Sequence, residues 1–299
     1  MFWLTAIIFS YLFFALASLG DKIVLSGPSK PKTYTFIVGL LSLISVLIIP
    51  FVEFGYPSLI SLAFIILEAI VYIAGLYAMF YALEHFDVSK VMPTIGATQP
   101  IFIALLSFFF WGYYKMEGNE ILAFIILLIG SVLISIDKSL KITRKSLEIS
   151  LITALLFSLD FIFSKFVFAE MSFWQGFIWM RIFSFIFVLV FLFDKKFIKE
   201  LKGGNGKFSK KTGIVFFTAQ TFGGLANILQ SWAIFLVPVS YLAIMNSMKG
   251  IQYAFLFILV ILTSSFLPKV LKEDMNRKIM MQKIISILVI GLGLAVLVL

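Results

Sequence analysis

Positive charge divides this chain more sharply than any short motif does. About ten apolar stretches of membrane-spanning length alternate with gaps, and of the 24 Lys and Arg residues, 20 fall in the odd-numbered gaps. These are Lys22, Lys30 and Lys32; Lys90; Lys138, Lys141, Arg144 and Lys145; Lys195, Lys196, Lys199, Lys202, Lys207, Lys210 and Lys211; and Lys269, Lys272, Arg277, Lys278 and Lys283. The even gaps hold Lys115 alone, and Lys165, Arg181 and Lys249 lie inside apolar runs. Short cytoplasmic loops retain basic residues, so the odd gaps are predicted to be cytoplasmic and both termini to face outward. The expected location is the plasma (inner) membrane.

A bilayer core about 30 Å thick needs about 20 residues of helix to cross it. The sequence predicts spans near 2–20, 34–52, 58–82, 89–112, 120–136, 146–168, 173–193, 213–236, 239–266 and 282–299. Helix is expected because open sheet edges do not survive in lipid, and the Phe/Ile/Leu runs lack the alternation of a barrel. Ala15-Leu16-Ala17 resembles a signal-peptidase site, but no Lys or Arg precedes the apolar run, so the first span is read as a retained helix. The chain is 62% hydrophobic and 13% charged with a mean hydropathy of +1.10. A soluble domain has about 45–50% apolar and about 25% charged residues. The net charge of +9 sits beside the spans, which points to topology and anionic lipid rather than nucleic acid as partner. With no cysteine, disulfides, thiolate nucleophiles and cysteine-ligated metals are excluded.

The chain repeats itself weakly. Tyr81-Ala82-Leu83 through Phe86, Val88-Ser89 and Val91 aligns with Trp232-Ala233-Ile234 through Val237, Val239-Ser240 and Leu242. The segment ending at Lys22 matches the one ending at Lys165, and Gly130-Ser131-Val132-Leu133 pairs with Gly291-Leu292-Gly293-Leu294. The expected units are 1–143 and 144–299. Each has five helices, and because five is odd the second enters the membrane inverted. Inverted repeats place solute at their interface near the midplane.

The stretch Tyr81-Ala82-Leu83, Val88-Ser89, Pro93 and Pro100-Ile101-Phe102, together with the five-plus-five plan, resembles the EamA-type branch of the drug/metabolite transporter superfamily. The resemblance covers essentially the whole chain, and Gly130 and Arg181 also fit it. It implies ten helices moving a small metabolite or drug by alternating access, with no resident cofactor. Two departures stand out. The Gly-Glu expected after the fourth helix of a repeat is out of register, with Glu117 and Glu120 late and only Glu273 and Asp274 in the second half. Val38 stands where the second half has Arg181.

Ionisable groups deep in apolar spans cost roughly 2.5–3.5 kcal/mol each at a helix centre on insertion scales, so they face a cavity or a partner. Four qualify: Glu68, Asp160, Arg181 and Lys249, whose formal charges cancel. Arg181 and Asp160 are candidates for an internal ion pair between adjacent helices or for solute contact. Lys249 shares a helical face with Asn246 and Tyr253, an arrangement suited to a carboxylate or phosphate, and Gly250 lets a ligand or a helix come close. Glu68 is either a proton or cation coupling site, a role open to Asp160 also, or a hydrogen-bonded structural acid. Lys165, nearer the span end, is expected to reach the headgroups. Gln220, Asn227 and Gln230 stripe the eighth span around Gly223-Gly224 as solute contacts or helix glue. Tyr72, Trp179 and Trp232 either line the same cavity or serve as packing. The repeat mates of Asp160, Arg181, Lys249 and Glu68 are Ala17, Val38, Thr98 and Ala219, so solute selection is expected to lie mainly in the second half. Pro93 and Pro100 can kink the fourth span for gating.

No G-x-x-x-x-G-K-[ST] segment and no H-E-x-x-H segment occurs, and His85, the one histidine, sits at a span end. Gly203-Gly204-Asn205-Gly206 reads as a loop rather than a phosphate cradle. The leading expectation is a secondary transporter for a small organic solute. The alternatives are a flippase for an amphipathic lipid-like molecule and a polytopic membrane enzyme, for which the outward loops offer few acid or histidine groups. Solute identity, direction and oligomeric state are not written in these residues.

Overall fold

The computed structural model describes residues 2–25, 31–86, 88–112, 117–135, 143–202, 210–264 and 277–299. Gly203–Gly206, Glu273 and Asp274, and Lys30, Lys115, Lys138, Lys141, Lys207, Lys269 and Lys272 lie outside them. Every regular element among the described residues is helical. In chain order these are α1 (Phe2–Leu25), α2 (Pro31–Leu41), α3 (Leu59–His85), α4 (Val88–Trp111), α5 (Gly118–Ser135), α6 (Arg144–Glu170), α7 (Phe173–Val188), α8 (Lys195–Lys202), α9 (Lys210–Leu236), α10 (Leu242–Ser247), α11 (Gly250–Ser264) and α12 (Arg277–Val298). Among the described residues nine helical segments are long and apolar enough to cross a membrane, which makes this an integral membrane protein. The 27-residue α9 is not among the nine. Gln220, Asn227 and Gln230 lower its hydropathy, the same residues that single it out as a polar helix.

Several predicted spans are less regular than their hydropathy suggests. The second finishes as a 3₁₀ segment over Ser42–Phe51 containing Pro50, and the seventh as a 3₁₀ turn over Leu189–Phe193. The ninth is not continuous. After Pro238 come a 3₁₀ turn (Val239–Tyr241), α10, a turn at Met248 and Lys249, and then α11. A short amphipathic helix, α8, occupies the Lys-rich seventh gap, with Phe197 buried against Phe36 at 5.3 Å while Lys195, Lys196 and Lys199 stay exposed. At its start Asp194 accepts from the Lys196 amide at 2.9 Å and from Lys32 Nζ at 2.6 Å. The Lys32 ammonium and that amide hold the Asp194 carboxyl below the usual carboxylate range.

Packing follows a reciprocal scheme. Helix α1 lies on α9 and α11, while α6 lies on α3 and α4, and α5 crosses α12. The first helix is part of the core, since Ile7, Tyr11 and Ala15 are fully buried. At the α5–α12 crossing the small residues exchange contacts. A Cβ on Gly130 would meet Ile290 at 2.7 Å, and one on Gly293 would meet Leu127 at 2.8 Å. Gly130 therefore matches Gly293, not Gly291, which faces open space. The close approach of α1 to α9 falls at Gly20, where a Cβ would come within 2.6 Å of Ala219, rather than at Gly223-Gly224.

Candidate functional site

Two polar assemblies occupy the apolar interior. The first joins α3, α6 and α7. Arg181, on a face of α7 with Phe177 and Ser184, donates from Nη2 to Glu68 Oε1 at 2.5 Å. Glu68 is 0% exposed and Arg181 5%. Tyr72, one turn beyond Glu68 on α3, lays its ring under the guanidinium at 4.3 Å from its centroid, and Phe177 adds a second ring at 5.5 Å. Cation–π contact is stronger where the cation has lost its water, as here. Asp160, from α6, lies beside Glu68 and within the field of Arg181. The guanidinium thus chooses Glu68, on α3, rather than the Asp160 expected from the sequence. Two acids share one base, and Glu68 Oε2 and Arg181 Nε make no hydrogen bond.

The second assembly is built on the break between α10 and α11. A break frees backbone groups that must find partners. Lys249 N turns back to Asn246 O at 3.1 Å, which leaves Met245 O without its helical donor; Tyr11 Oη supplies one at 2.9 Å. Ile251 N bonds to Met248 O at 2.9 Å, which frees Ser247 O. Ser131 Oγ, on α5, donates to Ser247 O at 2.5 Å and accepts from Gly250 N at 2.9 Å. A Cβ at Gly250 would lie 2.5 Å from that same Oγ, so the glycine admits α5 rather than a ligand. The break is consequently a stable feature, held by two buried hydroxyls.

From this break Lys249 reaches across to α4, where Nζ donates to Gln99 Oε1 at 3.2 Å. Gln99 is the one hydrogen-bond partner of the ammonium among the described residues, and none of the ion pairs there includes it. Asn246 is 1% exposed, and its Oδ1 has no partner. Tyr253 Oη donates to Met92 O at 3.3 Å and sits against Gly96, where a Cβ would come within 3.0 Å. Proline at 93 and 100 removes amide donors from this stretch of α4, yet it remains helical. Ser158 Oγ on α6 donates to Gln99 O at 3.1 Å, so Gln99 stands between the helix carrying Asp160 and the break carrying Lys249.

Other candidates fall elsewhere. Trp179 donates to Gly55 O at 2.9 Å and stacks on Phe54 at the end of the α2 segment, and Trp232 packs edge-on against Phe173 at 4.6 Å. Both are packing residues, and of the three aromatics only Tyr72 joins the ionic assembly. Gln220 Nε2 donates to Tyr34 Oη at 2.9 Å and so ties α9 to α2, while Asn227 is half-buried a turn and more further on. Lys165 is held by backbone carbonyls. It donates to the carbonyls of Ile234 at 3.0 Å, Phe235 at 3.2 Å and Val237 at 2.5 Å, capping the negative end of α9. Glu120, out of register in sequence, accepts from Tyr241 Oη and from the Glu117 amide at the start of α5. His85 stacks on Tyr81 at the surface. Gln99, Tyr11 and Ser131 were missed because attention to charge passes over neutral polar groups; a glutamine directly before Pro100 in an apolar span was the available signal.

Among the described residues no group of three or more His, Asp and Glu side chains gathers as a metal site. A groove of about 370 Å³ between Leu133 and the start of α12 shares no residue with either polar assembly.

No family model and no curated protein matches the chain. One solved structure, described as "Crystal structure of protein", is similar with a TM-score of 0.65 over 98% of this chain and 96% of that chain, at 13% identity. At that identity the likeness concerns the fold alone.

Proposed function

We propose that this protein is a secondary transporter of the EamA type, not an enzyme, that moves a small organic solute by alternating access between two inverted five-helix halves. The observation that carries the reading is the interior ammonium of Lys249. It sits at a helix break, bound by a single neutral oxygen. Discontinuous helices with charged groups near the bilayer middle are the usual construction of transporter binding sites, because unwound backbone is tolerated only where it lines a cavity or is buried in protein. A solute carboxylate or phosphate would replace the Gln99 amide oxygen at Lys249 and gain a charge-assisted bond. The Asn246 amide, Tyr253 and Asn227 are the neutral groups assigned to the same solute, and Arg181 with its acids forms the neighbouring coupling site.

The inverted plan is supported by the reciprocal packing of α1 on α9 and α6 on α3, and by the exchanged contacts of Gly130 and Gly293. The tenth crossing is assigned to α9, which is 27 residues long and whose Gln220, Asn227 and Gln230 are half-buried. The odd gaps and α8 are assigned to the cytoplasm.

Uptake of labelled organic anions into proteoliposomes tests the reading. Lys249→Ala is expected to abolish uptake while thermal unfolding shifts little, because the side chain has one weak partner to lose. Equal loss of folded protein, or uptake indifferent to the substitution, would remove Lys249 from the solute site.

A further inference from the structure

The α3–α6–α7 assembly is unbalanced. Glu68 and Asp160 bring two acids to one base, Arg181, in a region where an uncompensated charge is costly. We propose that Glu68 and Asp160 hold one exchangeable proton between them, with Asp160 as the exchanging acid and Glu68 fixed to Arg181.

Geometry separates the two acids. Glu68 is 0% exposed and its Oε1 is bound to Nη2 at 2.5 Å, so taking up a proton there would break a closed ion pair. Asp160 is only half-buried and forms no ion pair with Arg181. Of the two acids, Asp160 is thus the one not locked to the guanidinium. Glu68 Oε2, buried and without a hydrogen bond, is the acceptor that a protonated Asp160 hydroxyl satisfies. The titratable and charged groups that face Asp160 are Glu68 and Tyr72 from α3 and Arg181 from α7. Protonated, the assembly is neutral. When Asp160 gives its proton to water, the assembly carries one net negative charge, which a second proton or a cationic group must answer. Carboxyl pairs crowded in this way titrate as a unit rather than as two independent groups.

As a proton site this assignment stands by itself; as the coupling site of transport it rests on the reading above. Infrared titration of the purified protein reads protonated carboxyls directly and requires no solute. The wild-type chain is expected to show one protonated-carboxyl band that disappears as pH rises. Asp160→Asn removes it. Glu68→Gln removes it too, because Arg181 then neutralises Asp160. Carbon-13 labelling of aspartate carboxyls shifts the band in the unmutated chain, which covers the case in which Asp160→Asn does not fold. A band that survives Asp160→Asn or fails to shift with labelled aspartate overturns the assignment, as does its absence from the wild type or its replacement by a sodium-dependent, pH-independent change. Solute movement without a titrating band sinks this inference alone, and a titrating band in a chain that moves nothing sinks the transport reading alone.

Discussion

At the residue scale, the interior charges divide by what holds them. Arg181 is closed in by an acid and two aromatic rings, whereas Lys249 is met by one amide. Removing one partner of a buried ion pair leaves the other uncompensated, at about 3–5 kcal/mol. Arg181→Met is therefore expected to lower unfolding stability by about that amount. The double replacement Glu68→Met with Arg181→Met should recover most of the loss, since an apolar pair of similar volume is often neutral. A single replacement without effect would mean that the pair is not buried as described. Lys165 gives a second contrast. Bonds from a charged donor contribute about 1.5–3 kcal/mol, so Lys165→Met should destabilise the fold by roughly that much in a thermal or denaturant scan. A lysine merely reaching into headgroups would leave stability unchanged. The sequence shows which side chains are ionisable and deep, but pairing across helices depends on rotation about each helix axis. For that reason Glu68, Asp160 and Arg181 were recognisable individually while the partner of Arg181 was not.

At the element scale, span positions follow from hydropathy and charge because the bilayer imposes a length of about 20 residues on every crossing. Interruptions within a span are less legible. The segment from Val239 to Ser264 reads as one apolar run, yet it breaks at Lys249 because Tyr11 and Ser131, distant in sequence, take up the backbone groups that the break frees. Lys165 illustrates the same limit, since the helix end it caps is some seventy residues away in the chain. Glycines give the sharpest test of packing. Gly293 is closed by Leu127 at 2.8 Å, while Gly291 opens onto empty space. Gly293→Val is expected to weaken the α5–α12 crossing by about 1–3 kcal/mol, the usual cost of overpacking. Gly291→Val should change the melting temperature little. Equal effects from the two substitutions would contradict the register of this crossing.

At the scale of the whole molecule, two helix crossings that pack alike are not chemically alike. The crossing of α6 with α3 carries Asp160 and Glu68; the crossing of α1 with α9 carries Ala17 and Ala219 at the matching positions, and is closed by Gly20. One crossing is built around charge and the other around close apolar contact. An internal repeat was legible in the alignment around Tyr81 and Trp232, and it underlies the proposal of two inverted halves. Its register at α5 and α12 was not, because glycines two apart satisfy a sequence alignment equally well and only contact distinguishes them.

The account depends on an inverted second half, and the absence of cysteine allows orientation to be measured directly. Single cysteines at Thr5, Glu53 and Lys199 would be labelled in intact cells with a membrane-impermeant maleimide. The predicted result is labelling from outside at Thr5 and Glu53, and at Lys199 only after the membrane is opened. Labelling of Thr5 and Lys199 from the same face would contradict the two oppositely inserted halves and the solute path between them.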